Sequence, residues 1–283
     1  GGFISLLHKP LIYWIGENIF NINYDYKISG TGSGDNTYAY LQTFFYFCLS
    51  ILGTIIWSII DRKRKSYNDV NYIFLVLLRF YLIFFMLVYG LIKVFHMQMI
   101  PPTYSRLLQP LGEMSPMGLA WTFMGFSKGY SMFAGGMEVL AGLLLISRRT
   151  LTLGALVTTG VMTQVFIMNL CFDIPVKLFS FHLLFAALVI FLSDFNRFFN
   201  GFILQEQVGK GNLFPKHSKE SKKIIKIVKV SLLVLVIAFI SFTNLSRGQG
   251  LVEKLNSYLG GVWEVDNFNM NGKKILPLLT DKN

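Results

Sequence analysis

Glu138 is the residue of this chain best placed to do chemistry. It lies near the centre of an apolar run, Tyr130–Ile146, within Ala134-Gly135-Gly136-Met137-Glu138-Val139-Leu140-Ala141-Gly142. A carboxylate in such surroundings either takes up a proton or finds a cation. A second apolar run, Tyr72–Phe95, carries two cations: Arg79 about a third of the way along, and Lys93 near its end. On a helix these two fall within about 40° of one another and roughly 21 Å apart along the axis. Gly90 shares their face, and Gly135 and Gly142 flank Glu138, so small residues permit close helix approach. Two readings stay open for Glu138: an ion pair that fixes helix register, or a proton or ligand site.

Further polar groups sit close by in sequence order. Gln164 and Asn169 interrupt the apolar run Leu151–Cys171; Asp173, Pro175 and Lys177 follow, and His182 lies one to two turns into the next run. Asp173 and Lys177 bracket a tight turn, where pairing with each other is the simplest reading. Lys93, His96, Gln98, Asp173, Lys177 and His182 are expected to gather at one mouth of a helical bundle, with Glu138, Asn169 and Arg79 deeper, as a polar funnel. Two histidines at similar depth raise haem ligation. His96, however, is at a helix end and no His pair recurs within one helix, so haem is disfavoured. Cys48 and Cys171 form no C-x-x-C and each lies in or beside an apolar run, which predicts inert thiols and no metal site.

The elements that must position these groups are written in the composition. Of 283 residues, 53% are hydrophobic and 14% charged, with 27 Phe, against about 25% charged in soluble domains. Mean hydropathy is +0.51. A bilayer is the solvent this composition fits. Runs of about 20 apolar residues mark spanning helices, and Tyr40–Ile60, Tyr72–Phe95, Tyr130–Ile146, Leu151–Cys171, Leu178–Leu192 and Val230–Phe242 are the candidates. The formal charge of +11 resides in short clusters between these runs, a pattern of membrane orientation rather than nucleic-acid binding. One set of loops, holding Arg62-Lys63-Arg64-Lys65, Arg148-Arg149 and the 194–229 stretch, carries 14 Lys and Arg; the alternate set carries 9. The first set is therefore expected in the cytoplasm of a bacterial inner-membrane protein, with the C-terminal tail exported.

The loops of the second set are more than connectors. Residues 28–37 are Gly-rich but lack the Gly-Lys-Ser/Thr of a phosphate loop, so they read as a plain or interaction loop. Residues 97–127 hold Pro101-Pro102, Pro110 and Pro116 and the apolar stretch Met117–Phe126, which is too short to span and is expected along or partly within the membrane surface. Beyond Asn244, the alternation in Gly261–Phe268 followed by Asn271-Gly272 reads as a hairpin opening a β-rich extracytoplasmic tail.

Two motifs carry a family resemblance. Arg79 followed by Gly90-Leu91-Ile92-Lys93-Val94-Phe95, and Gly135-Gly136-Met137-Glu138-Val139-Leu140-Ala141-Gly142-Leu143-Leu144-Leu145 with Arg148, resemble the first and second helices of DoxX/DoxD-like proteins. Asn169, Asp173, Pro175 and His182 fit the remaining pair. The resemblance covers about residues 72–195. It implies a four-helix membrane bundle of the kind shared with membrane subunits of thiosulfate:quinone oxidoreductase and, more distantly, the membrane domain of vitamin K-dependent carboxylases. It implies that Arg79, Lys93, Glu138 and His182 line a ligand cavity, and the link of family members to quinone-coupled redox chemistry makes a quinone one candidate cofactor, with no cofactor fixed by the sequence. The fold class expected is thus an all-α membrane protein: a DoxX-like bundle over 71–195 with long loop 97–127, an added helix and basic loop over 39–70, a basic linker over 196–229, a C-terminal span over 230–243 and an exported segment over 244–283. Residues 1–38 are expected to be the outer part of a first span cut short, plus a loop. Partners expected are the lipid bilayer and other membrane or periplasmic proteins. A transporter reading ranks last, since neither discontinuous helices nor repeats are evident; a non-catalytic scaffold is the alternative to a redox subunit.

Overall fold

The computed structural model describes residues 2–22, with side chains from 8 onward, and residues 34–208, together with positions 230, 234, 238, 267, 269–270 and 272–274. Within these residues the chain is a helical membrane protein. Four helices are long and apolar enough to cross a bilayer: α2 (Thr37–Ile60), α3 (Asn68–Val94), α6 (Lys128–Ile146) and α7 (Leu151–Cys171). A fifth crossing arises if α8 (Lys177–Ser193) counts with the bent segment after it, α9 (Phe195–Phe198) and the π-helical turn Phe199–Ile203. The C-terminal span expected at Val230–Phe242 lies mostly outside the described residues; Val230, Val234 and Ala238 within it are helical.

Side-chain chemistry sets where these helices begin. Asn36 accepts from Ala39 N at 2.8 Å to open α2. Ser115, followed by Pro116 at the first helical position, opens α5 (Pro116–Phe126), and Ser127 opens α6. Each satisfies an amide that the first helical turn leaves without a partner. α8 has no such residue before it, since Val176 has no polar side chain. Its first amides are instead taken by Asp35: Lys177 N donates at 2.5 Å and Leu178 N at 3.0 Å.

α3, α6, α7 and α8 form the bundle. α3 packs most extensively on α6, α6 on α7, α7 on α8, and α8 closes back on α3. The α3–α6 crossing is set by glycine. A Cβ at Gly90 would stand 2.8 Å from Gly135 O, and one at Gly135 would stand 2.7 Å from Val94 N, so the two backbones touch. Leu82, Met86, Leu87, Leu145, Leu183 and Ile190 fill the centre.

The N-terminal pair, α1 (Gly2–Asn18) and α2, packs on itself through Ile12, Ile15, Tyr38 and Leu41. α1 runs unbroken through Pro10, although proline removes one backbone bond of the turn. The 97–127 loop folds into α4 (Tyr104–Leu108), a 3₁₀ turn at Leu111–Glu113, and α5. α5 has 11 residues, roughly 16 Å at 1.5 Å each, too short to cross. One face of it is buried through Gly118, Ala120 and Met124, while Leu119, Phe123 and Phe126 point outward.

Of the expected exported segment, the described part is one short antiparallel pairing of β1 (Asn269–Met270) with β2 (Lys273–Lys274), with Gly272 at φ 76°. A β-rich tail as a whole lies outside the described residues.

Candidate functional site

Glu138 and Lys93 meet. They form an ion pair between Nζ and Oε1 across the α3–α6 crossing, with side chains only 3% and 7% exposed. Gly90 and Gly135 lie within a turn of them, so the backbone contact that only glycine permits also brings the two charges together. Ser131, about two turns before Glu138 on α6, donates from Oγ to Lys93 O at 3.1 Å and fixes the end of α3.

Two hollows adjoin this pair. The smaller, of ≈ 80 Å³, is lined by Lys93, Glu138, Gln98, Asn169 and Ser180 among Tyr89, Trp121 and apolar groups. Asn169 donates from Nδ2 to Ser180 Oγ at 2.9 Å, which ties α7 to α8 at its edge. The larger, of ≈ 430 Å³, is a lateral cleft between α6 and α7 whose wall includes Phe133, Met137, Val157, Gly160 and Gln164. Lys93, Glu138, Val165 and Met168 belong to both. Among the described residues, Glu138 Oε2 and Gln98 Oε1 are buried acceptors with no hydrogen-bond donor.

The structure brings together five of the residues singled out from sequence: Lys93, Gln98, Glu138 and Asn169 line the smaller cavity, and Gln164 joins Lys93 and Glu138 in the cleft, while Arg79, His96, Asp173, Lys177 and His182 stand apart. Arg79 does not reach Glu138. Its guanidinium donates to Leu145 O and Ile146 O, both at 2.6 Å, and Thr150 Oγ1 donates to Leu144 O at 2.7 Å. The last carbonyls of α6 would otherwise lack partners in a medium without water, and they hold Arg79 at the opposite end of the bundle. His182 is not in either hollow; its ring is exposed on α8, bonded by Nδ1 to Leu178 O at 2.6 Å. His96 follows α3 in a left-handed conformation (φ 59°) and its Nε2 lies 3.1 Å from Lys128 O. Asp173 and Lys177 pair with each other at 2.6 Å across the turn, with Asp173 81% exposed. These last three residues are turn and cap residues beside the site rather than a mouth leading into it.

Sequence reasoning passed over the methionines. Met86, Met99, Met162 and Met168 line the small cavity, and Met124, Met137 and Met168 the cleft. A signal existed: Val157, Gly160, Gln164 and Met168 recur at helical spacing on one stripe of α7, and that stripe is the cleft wall. Flexible, polarizable thioethers give a lining that adapts its shape to what enters. Among the described residues no group of three or more His, Cys, Asp or Glu is placed to hold a metal ion.

No protein-family model matches the chain, and no solved structure does. The uncharacterized protein YwoB of Bacillus subtilis (strain 168) is 33% identical over 139 residues, which take in 46% of this chain and 82% of that protein. The chain belongs to the YwoB family. Most of YwoB is thus represented here, while more than half of the present chain has no counterpart in that match.

Proposed function

We propose that this protein is a DoxX-like subunit of a quinone-linked redox system in the bacterial inner membrane, with a lipophilic quinone-type head group seated in the α6–α7 cleft against Lys93 and Glu138. The observation that carries the reading is a buried ion pair walling a mostly apolar cleft of ≈ 430 Å³. That volume falls within the roughly 300–1,000 Å³ usual for small-molecule sites, which combine apolar walls with a few polar groups. A quinone carbonyl can accept from the Lys93 ammonium, and the reduced form can donate a hydroxyl to the free Glu138 oxygen. The order and spacing of the Arg79…Gly90-x-x-Lys93 and Gly135…Glu138…Gly142 motifs support the DoxX likeness. The excess of Lys and Arg in the 61–65, 147–149 and 194–229 loops supports placing that side in the cytoplasm, with the Lys93–Glu138 end of the bundle towards the opposite face.

The test uses the full chain purified in mild detergent. Organic extraction and mass spectrometry should reveal a bound quinone, and decylubiquinone should quench the fluorescence of Trp121 beside the site. Gly160→Phe tests the location. A Cβ at Gly160 meets no atom within 4 Å and Gly160 lines the cleft, so this variant should fold and lose quinone. Gly136→Phe, equally unobstructed and outside the cleft lining, should keep it. Stoichiometric partner proteins with no quinone in the extract would favour a non-catalytic scaffold instead.

A further inference from the structure

We infer that Glu138 exchanges its proton with water held in the ≈ 80 Å³ cavity, so that the Lys93–Glu138 pair is a proton relay between that hydrated cavity and the lateral cleft. Three observations carry this. The cavity has room for about two or three waters at roughly 30 Å³ each. Two buried acceptors at its wall, Glu138 Oε2 and Gln98 Oε1, lack donors among the described residues, and buried polar atoms in this state call for water or a proton. Among the described residues, the ionisable side chains common to both hollows are Lys93 and Glu138.

The titratable groups facing Glu138 across the two hollows are Lys93 and Tyr89 from α3 and Tyr130 from α6 itself; α7, α8 and the 97–127 loop contribute none to the lining. The transfer balances without electrons. A hydroxyl group of a molecule in the cleft gives its proton to the Glu138 carboxylate, breaking the ligand O–H bond and forming one at the carboxyl. The carboxylic acid then passes that proton to water in the cavity and returns to the carboxylate, paired as before with Lys93. Arrival of the hydroxyl rests on the quinone reading above. Exchange between Glu138 and cavity water does not.

Infrared difference spectroscopy on the full chain in lipid nanodiscs separates the two. During an acid titration, a carboxylic-acid carbonyl band should appear that is missing in Glu138→Gln, and it should shift promptly when D₂O replaces H₂O. Gln98→Leu and Gln98→Met, which remove an acceptor from the cavity and make its wall less polar, should slow that shift by roughly tenfold or more, because exchange then waits on local opening. Gly160→Phe should leave the shift as fast as in the unaltered protein while abolishing decylubiquinone binding. A Glu138 band that resists D₂O, the absence of any such band across the titration, or prompt exchange in both Gln98 variants would each overturn the relay. Failure of decylubiquinone to bind with exchange intact would remove the quinone reading alone.

Discussion

Lys93 and Glu138, 45 residues apart in sequence, form a buried ion pair at the point where the α3 and α6 backbones touch. Removing one partner leaves the other buried without its counter-ion, a loss on the order of 3–5 kcal/mol where such pairs have been broken. Lys93→Met and Glu138→Met should therefore each lower the melting temperature of detergent-purified protein strongly. The double variant should recover most of that loss and yet bind no quinone. Singles and double melting alike would show that the pair does not hold the crossing together.

Gly90→Ala forces a methyl group to within 2.8 Å of Gly135 O and Val139 N. Overpacking of this kind typically costs about 1–3 kcal/mol. The expected outcome is a lower melting temperature together with weakened ligand binding, because the helices must separate where Lys93 reaches Glu138. Gly136→Ala, with open space around it, serves as the control and should melt like the unaltered protein.

Arg79→Met deletes two charge-assisted bonds to the carbonyls of Leu145 and Ile146, each worth roughly 1.5–3 kcal/mol. Thermal stability should fall, while the decylubiquinone affinity of the protein that remains folded should not change. Loss of affinity at full stability would place Arg79 in the binding site after all.

His182→Ala should change neither property, since the ring is exposed and bonded to a carbonyl of its own helix. Titration of this variant with decylubiquinone beside the unaltered chain checks it directly.

Asp35→Ala removes the side chain that takes two amides at the start of α8, and capping residues contribute about 1 kcal/mol. Asp35→Asn, which keeps an acceptor oxygen, should recover much of the loss. Comparing melting temperatures of the two variants separates the capping bonds from the charge.

Much of the bundle was legible in the sequence because lipid penalises any backbone that is not helical, so long apolar runs map onto helices with ends shifted by only a few residues. The Lys93–Glu138 pairing was legible in part. Helical periodicity put Arg79 and Lys93 on one face of α3, but periodicity carries no information on which of them lies at the depth of Glu138. That depth is set by the register in which Gly90 meets Gly135. Arg79 was misread because its carbonyl partners at the end of α6 leave no trace in side-chain pattern. His182 was misread because helical phase alone does not say which face of α8 turns toward the bundle. Asp35 passed unnoticed since its role spans 142 residues of chain.

That last separation bears on how the protein is made. Chains emerge N-terminus first, so α1 and α2 leave the ribosome long before the helix that Asp35 will grip exists. The early hairpin therefore has nothing to fasten to through this carboxylate until α8 has been threaded into the bilayer with its first amides free. A chain interrupted after α7 would carry Asp35 idle, and the latch closes only on a molecule whose biosynthesis has passed residue 178.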